Sequence, residues 1–255
     1  MADGERLFVK SHTAEPGLDE HACLAMFEME RRGLEKLRET GCFRVPAPLA
    51  TGVLAGGAFL VMEHIDIRPL RDMRVFGERL AEMHLAPGPD RFGLESDNWI
   101  GATPQPNRWH ASWVDFLRMR LEYQLDRAQL AGADGRMGRE LLERLPSFFE
   151  GVEVVPSLLH GDLFSANCAA DEHGEPVLFD PALYWGHHEA ELGMVHFLNS
   201  FGPEFAEAYH QRIPRAPGFD KRNAIYQLYH ALNHYNLFGD GFRCECSRLL
   251  KQALR

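Results

Sequence analysis

The sequence predicts an α+β fold in two unequal parts, a small β-rich lobe followed by a larger, mostly helical lobe. Two observations carry this reading. Apart from one early helix, apolar residues up to Ile65 recur about every second position, and after it about every 3.6. Arg68-Pro69 interrupts the pattern at the changeover, and the residue before a proline is driven out of helical geometry. The lobes are therefore set at residues 1–66 and 67–255.

Leu7-Phe8-Val9-Lys10 is a short apolar run ending in a charge and reads as the first strand. Residues 19–39 follow as a helix. Phe27, Gly33, Leu34 and Leu37 share one face, Glu28/Arg32 and Glu35/Glu39 fall on the other, and Gly41 closes it. Residues 49–54 and 58–65 are strands joined at Gly56-Gly57, a hairpin turn signal. Beyond them, Phe76, Leu80, Met83 and His84 line one helix. Trp109, Trp113, Phe116, Leu117, Leu121, Leu125 and Ala128 line a longer one. Residues 86–107 carry four prolines and three glycines and read as the loop between these helices. Ser157-Leu158-Leu159 and Pro176-Val177-Leu178-Phe179 read as the strands of one embedded hairpin, with a turn at Asp171-Glu172-His173-Gly174. From Glu189 the chain is helical again, broken at Gly202-Pro203 and at residues 213–219.

Composition narrows the function. The 255 residues carry 27 Lys+Arg against 37 Asp+Glu, a formal charge of −10, which disfavours nucleic acid or an anionic membrane as the partner. Five dispersed cysteines read as reduced thiols of a cytoplasmic protein. No apolar run approaches the ~18 residues of a membrane span.

The chemistry concentrates in His160-Gly161-Asp162-Leu163-Phe164-Ser165-Ala166-Asn167, followed by Asp180 at the end of its strand. Phosphoryl transfer needs a carboxylate beside the attacking hydroxyl and oxygen ligands that hold Mg²⁺ against the nucleotide phosphates. H-x-D-x-x-x-x-N has the catalytic-loop spacing of kinases. Asp162 is the expected base, and Asn167 and Asp180 the expected metal ligands. Gly161 stands where many protein kinases place an arginine that clamps a phosphorylated loop, so that control is not expected. Pro181 should push Asp180 toward extended geometry.

SLLHGDLFSAN, PVLFDPALYWGHHEAEL and APGFDKRNAIYQLYHALNHYNLFG resemble the fructosamine kinase (ketosamine 3-kinase) family, within the wider set of aminoglycoside- and choline-kinase-like phosphotransferases. The resemblance runs from Phe8 to about residue 250. It implies a protein-kinase-like bilobal fold and ATP-dependent phosphorylation of the 3-hydroxyl of a ketosamine, with Mg²⁺. The acceptor would be a free fructosamine or ribulosamine, or a glycated protein lysine, and the outcome deglycation.

The resemblance also implies residue roles. Lys10 is the lysine that contacts the α- and β-phosphates, and Glu30 its helix partner, with Glu28 a rival. Phe59 to Ile65 is the hinge, where the Glu63 carbonyl and the Ile65 N–H would read adenine and Met62 would shape the back of the pocket. Phe164 stands at the family's tryptophan position beside the acceptor. His234 matches the family's L-N-H and is either an acceptor contact or a core histidine. Tyr184, Gly186 and Glu189 match Y-x-G-x-x-E, with Glu189 a helix N-terminal charge or a pocket acid.

One departure is expected to matter. In the family, two strands and a glycine-containing phosphate loop precede the F-V-K strand, whereas here nine residues precede its Lys10, with Gly4 in an Asp-Gly turn. A non-catalytic remnant of the fold, or a kinase of the aminoglycoside or choline type, therefore stays open beside the ketosamine kinase. A bare edge at Leu7-Phe8-Val9 also predicts self-association through the small lobe.

Overall fold

The computed structural model describes residues 6–14 and 18–255. Gly4 lies outside the described residues. The small lobe is built from β1 (Leu7–Thr13), α1 (Glu20–Glu39), β2 (Pro48–Leu54) and β3 (Gly57–Glu63). Its sheet is antiparallel in the order β1-β3-β2, with Phe8 opposite Met62 and Lys10 opposite Leu60. The Asp19 carboxylate caps α1 by accepting the Ala22 N–H at 2.8 Å, satisfying one of the donors a helix start leaves free. Gly41, at φ +67°, lets the chain leave the helix. Among the described residues β1 has no partner on its outer side, and Leu7, Phe8 and Val9 are 42%, 49% and 56% exposed.

The larger lobe begins with α2 (Met73–Leu85), capped by Asp72. The segment expected to be only loop folds in part into β4 (Asn98–Ile100) and β5 (Thr103–Gln105), a hairpin turning at Gly101. Its prolines hid it, because Pro104 sits inside β5, opposite Trp99, where a short edge strand tolerates a residue without an N–H. The helices α3 (Trp113–Ala128) and α4 (Gly132–Arg144) follow; Trp109 lies outside α3.

The strands β6 (Ser157–Leu159), β7 (Cys168–Ala170), β8 (Pro176–Leu178) and β9 (Tyr184–Gly186) come next. Here the expected hairpin is corrected. β6 pairs with β9, and β8 pairs with β7 across the Asp171–Gly174 turn. Each ladder is three residues long, too short for its alternation to reveal its partner. The chain ends in α5 (His188–Phe197), α6 (Pro203–Arg212), α7 (Phe219–Phe238) and α8 (Arg243–Leu254).

Two apolar clusters hold the molecule. One runs across both lobes, from Phe27, Leu34 and Leu60 to Phe76, Leu80 and Phe205, with the Phe43 and Phe76 rings edge to face at 5.5 Å. The other fills the space between α3, α4, α7 and α8. Backbone hydrogen bonds from Arg44 to Pro176 and Leu178, and from Arg68 to Ala170, fix the β7–β8 hairpin beneath the small lobe. The cleft between the lobes is thereby held by packing and by ladders, and Lys10, Glu30, Asp162, Asn167 and Asp180 converge there. Among the described residues no helix is long and apolar enough to cross a membrane.

Candidate active site

Lys10 projects from β1 into the cleft and donates to both carboxylate oxygens of Glu30 on α1, at 2.8 and 3.0 Å. The same ammonium lies 2.8 Å from Asp180 Oδ1. Glu28, the rival partner, makes no ion pair among the described residues. Burial works against the charge on Lys10, but Glu30 and Asp180 together hold it above the usual lysine range. A lysine buttressed from both sides is a fixed positive point charge.

Asp162 follows β6 on a loop tied down at several points. The Ala182 N–H donates to the His160 carbonyl at 2.9 Å, and the Phe179 N–H to the Asn167 carbonyl at 3.2 Å. Burial keeps His160 neutral, lowering its pKa from the ordinary value. Its Nδ1 accepts the Asp162 N–H at 3.3 Å, so its proton sits on Nε2, which faces the Phe179 carbonyl at 2.9 Å. Gly161 has φ +84°, and a Cβ there would overlap the Ala182 carbonyl oxygen, so the loop has room for glycine alone.

Asn167 donates its side-chain N–H to the Asp162 carbonyl at 2.9 Å and to Asp162 Oδ2 at 3.1 Å. Burial pushes the Asp162 carboxyl up to about 7; the Asn167 bond opposes the shift, and the charges of Glu191 and Asp180 add to it. Asp180 itself corrects an expectation. It has φ +58°, left-handed instead of extended, a region that Asp and Asn tolerate better than other side chains. With Lys10 on Asp180 Oδ1 and the Asn167 amide N–H turned to Asp162, the Asn167 Oδ1 and Asp180 Oδ2 oxygens accept no hydrogen bond among the described residues. They are hard oxygen donors on residues that line one cavity, which suits a magnesium ion.

Two cavities meet here. One, of about 280 Å³, is lined by Phe8, Met62, Glu63, Ile65, Val177 and Phe179 and is largely apolar. The Glu63 carboxylate is engaged with Arg44 and accepts the Ala47 N–H at 3.1 Å, while the Ile65 N–H has no partner among the described residues. The second, of about 300 Å³, is lined by Glu30, Trp99, Asp162, Phe164 and Asn167, with Met26 and Met29 of α1. Lys10 and Asp180 line both. A flat apolar slot and a mixed polar chamber thus share a wall made of one cation and one carboxylate.

The decisive observation is chain-wide: the family model described as fructosamine kinase matches residues 2–255. The chain belongs to the fructosamine kinase family. A chloroplastic protein-ribulosamine 3-kinase of Oryza sativa subsp. japonica is 44% identical over 238 residues, covering 91% of this chain and 69% of that protein. A crystal structure assigned as a fructosamine-3-kinase, from Haemophilus somnus, superimposes with a TM-score of 0.86 at 27% identity, covering 98% of this chain and 84% of that one. The choline kinase of Streptococcus pneumoniae shares the fold, with a TM-score of 0.65 at 14% identity over 98% of this chain and 88% of that one. The fold is therefore protein-kinase-like, as the resemblance implied.

In this fructosamine kinase family member, three residues named from motifs stand away from the cleft. Tyr184 is buried behind it, stacked on Phe116 at 5.6 Å under the Arg120 guanidinium. Glu189 is buried in a two-point ion pair with Arg222, both bonds 2.8 Å. His234 is half-buried, its ring against Phe197 and Phe242 and its Nδ1 on the His230 carbonyl at 2.9 Å. The adjacent His187 and His188 are likewise satisfied, bonded to the Tyr226 and Tyr209 hydroxyls at 2.8 and 3.1 Å.

Two features escaped the sequence. Glu191, two residues past Glu189 and fully buried, accepts the His160 N–H at 2.5 Å and the Gly161 N–H at 3.0 Å. It fixes the two peptide units that lead into Asp162. The second is the β4–β5 hairpin, pinned by buried amides. The Asn98 side chain donates to the Leu183 carbonyl at 2.9 Å, and Gln105 and Asn107 donate to Asn98 Oδ1 at 2.9 and 2.7 Å. Arg120, itself buried, closes the network on Gln105, Asn107 and the Tyr229 hydroxyl. No short motif marks either, since both depend on partners about 30 or more residues away.

Proposed function

We propose that this chain is an ATP-dependent ketosamine 3-kinase, with residues 1–66 and 67–255 as its two lobes. The observation that carries the reading is Lys10, held between Glu30 and Asp180 where the two cavities join, with Asp162 and Asn167 in the second cavity. Adenine occupies the apolar slot against Met62, with the Glu63 carbonyl and the unpartnered Ile65 N–H at its edge. The acceptor occupies the chamber with Phe164 and Asp162.

Asp162 takes the proton of the 3-hydroxyl as its oxygen bonds to the γ-phosphorus. The bond from that phosphorus to the bridging oxygen breaks, and ADP leaves with Lys10 on its phosphates. Most of the acceleration comes from positioning and fixed charge. Asn167 and Asp180 would hold Mg²⁺, which when bound neutralises charge on the phosphates.

The test is ADP release over a panel of ribulosamines, fructosamines and a glycated lysine peptide. Release with a ketosamine, absent without it, is the expected result. Activity only on an aminoglycoside or choline would overturn the substrate class, and no activity together with no thermal stabilisation by millimolar MgATP would mark a non-catalytic remnant.

The reading extends to assembly. The exposed Leu7-Phe8-Val9 edge of β1 pairs with a second copy of the chain. Light scattering over a concentration series should show mass rising with concentration, and Phe8→Lys should abolish the rise. A monomer at all concentrations would refute it.

A further inference from the structure

Three large aromatic side chains line the chamber that holds Asp162: Phe27 belongs to the core, whereas Trp99, unlike the fold's other three tryptophans, and Phe164 do not. Trp99 and Phe164 are each half-buried. Among the described residues neither packs into an apolar cluster, neither lies against another ring, and the Trp99 indole N–H has no hydrogen-bond partner. A tryptophan that packing does not use, on a hairpin bolted down by buried amides, is a preorganised surface for something else. Asn98, next to it in β4, reaches the Leu183 carbonyl, and Gln105 of β5 reaches that of Ala182, so the hairpin is fixed to the segment that carries Asp180.

The acceptor's chemistry says what that surface meets. In a ketosamine the reacting 3-hydroxyl and the amine nitrogen are four bonds apart, so they lie within about 5 Å of each other. With the hydroxyl at Asp162, the amine must lie in the same chamber. The amine is protonated near neutral pH; of the chamber's carboxylates, Glu30 and Asp180 are paired with Lys10, and Asp162 meets the hydroxyl. The indole face is the side-chain surface best suited to a partly desolvated ammonium.

We propose that Trp99 is a specificity-determining residue, holding the protonated amine of the acceptor against its indole face while the 3-hydroxyl meets Asp162. This rests on the ketosamine kinase reading above. It explains why a rigid hairpin outside the kinase motifs is built against the catalytic loop. The role is recognition of a cationic amine: it favours ketosamines over neutral sugars and leaves the nucleotide site untouched.

The experiment uses the full chain and a matched pair of acceptors, one ketosamine and its N-acetylated form, which keeps the sugar chain and loses the charge. KM for each acceptor, KM for MgATP and the thermal midpoint are measured in wild type, Trp99→Leu and Trp99→Phe. Trp99→Leu should raise KM for the ketosamine about tenfold, and that for the N-acetylated form less than twofold. Trp99→Phe keeps a weaker face, carries the test should the leucine variant fold poorly, and should give about a threefold rise. KM for MgATP should stay within twofold throughout. An equal loss on both acceptors, an unchanged ketosamine KM, or a parallel rise in KM for MgATP would overturn the proposal. A wild type that phosphorylates no ketosamine would overturn the kinase reading and this one with it, whereas an active wild type with unaltered variants overturns this one alone.

Discussion

Asp162→Asn should lower kcat by about 10²–10⁴-fold, the range expected for a lost general base, while leaving MgATP binding in place. The substitution keeps size and shape and removes only the ability to take a proton. Because burial pushes this carboxyl up to about 7, the wild-type enzyme should also show an unusual acidic limb. The base works only when deprotonated, so kcat/KM should fall as pH drops through about 7, well above the ordinary carboxylate range. A bound divalent cation should move that limb to lower pH. Glu191→Gln should lower it too, because the Glu191 charge is one cause of the upward shift. It should also reduce kcat, since the His160 and Gly161 N–H groups bond separate Glu191 oxygens and a glutamine would turn an N–H toward one of them.

Stability provides an independent readout with the opposite sign. A carboxyl whose folded pKa is raised favours the fold while protonated, and that contribution is lost as pH rises from its unfolded value through about 7. Above that pH, Asp162→Asn should therefore be more stable than wild type, by of order 1–3 kcal/mol after allowing for screening in an open cleft. The difference should vanish toward pH 4. A thermal midpoint that is the same in both proteins at pH 8 would show that the carboxylate is solvated and that its limb lies in the ordinary range.

The residues legible in the sequence are those whose chemistry is local. Asp19 could be placed at the start of α1 because its carboxylate meets a backbone N–H three residues on. The turns at Gly56 and Gly174 follow from a conformation, φ +83° and +87°, that glycine adopts freely. Asp162, Asn167 and Asp180 stood out through spacing, and Lys10 and Glu30 through resemblance; in the fold they converge. What spacing could not give is which distant group each residue meets. Glu189 and Glu191 are two positions apart at the start of one helix, the same residue type and equally buried. One meets Arg222 and the other the catalytic loop, a difference set wholly by tertiary packing. The same holds for β6 and β8, whose three-residue runs name no partner, and for Asp180, whose left-handed backbone departs from the local preference imposed by Pro181.

Arg222→Met should destabilise the helical lobe by about 3–5 kcal/mol, because it leaves the Glu189 carboxylate buried without its counter-charge. In the wild type the Arg222 Nε and Nη2 each donate to one Glu189 oxygen at 2.8 Å, and Nη1 donates to the Pro217 carbonyl at 2.7 Å. The pair joins the start of α5 to the start of α7. For a chain of this size the loss amounts to a thermal midpoint lower by about 6–20 °C. Arg222→Met with Glu189→Leu should recover most of it, since a well-packed apolar pair replaces a buried ion pair at little net cost. Throughout the set, KM for the acceptor should stay within about twofold in the folded protein, because neither residue lines either cavity. A pocket acid would behave in the reverse way: Glu189→Gln would raise acceptor KM and barely move the midpoint. The two patterns are separated by one double-mutant cycle read by unfolding and by kinetics, and the buried geometry requires the first.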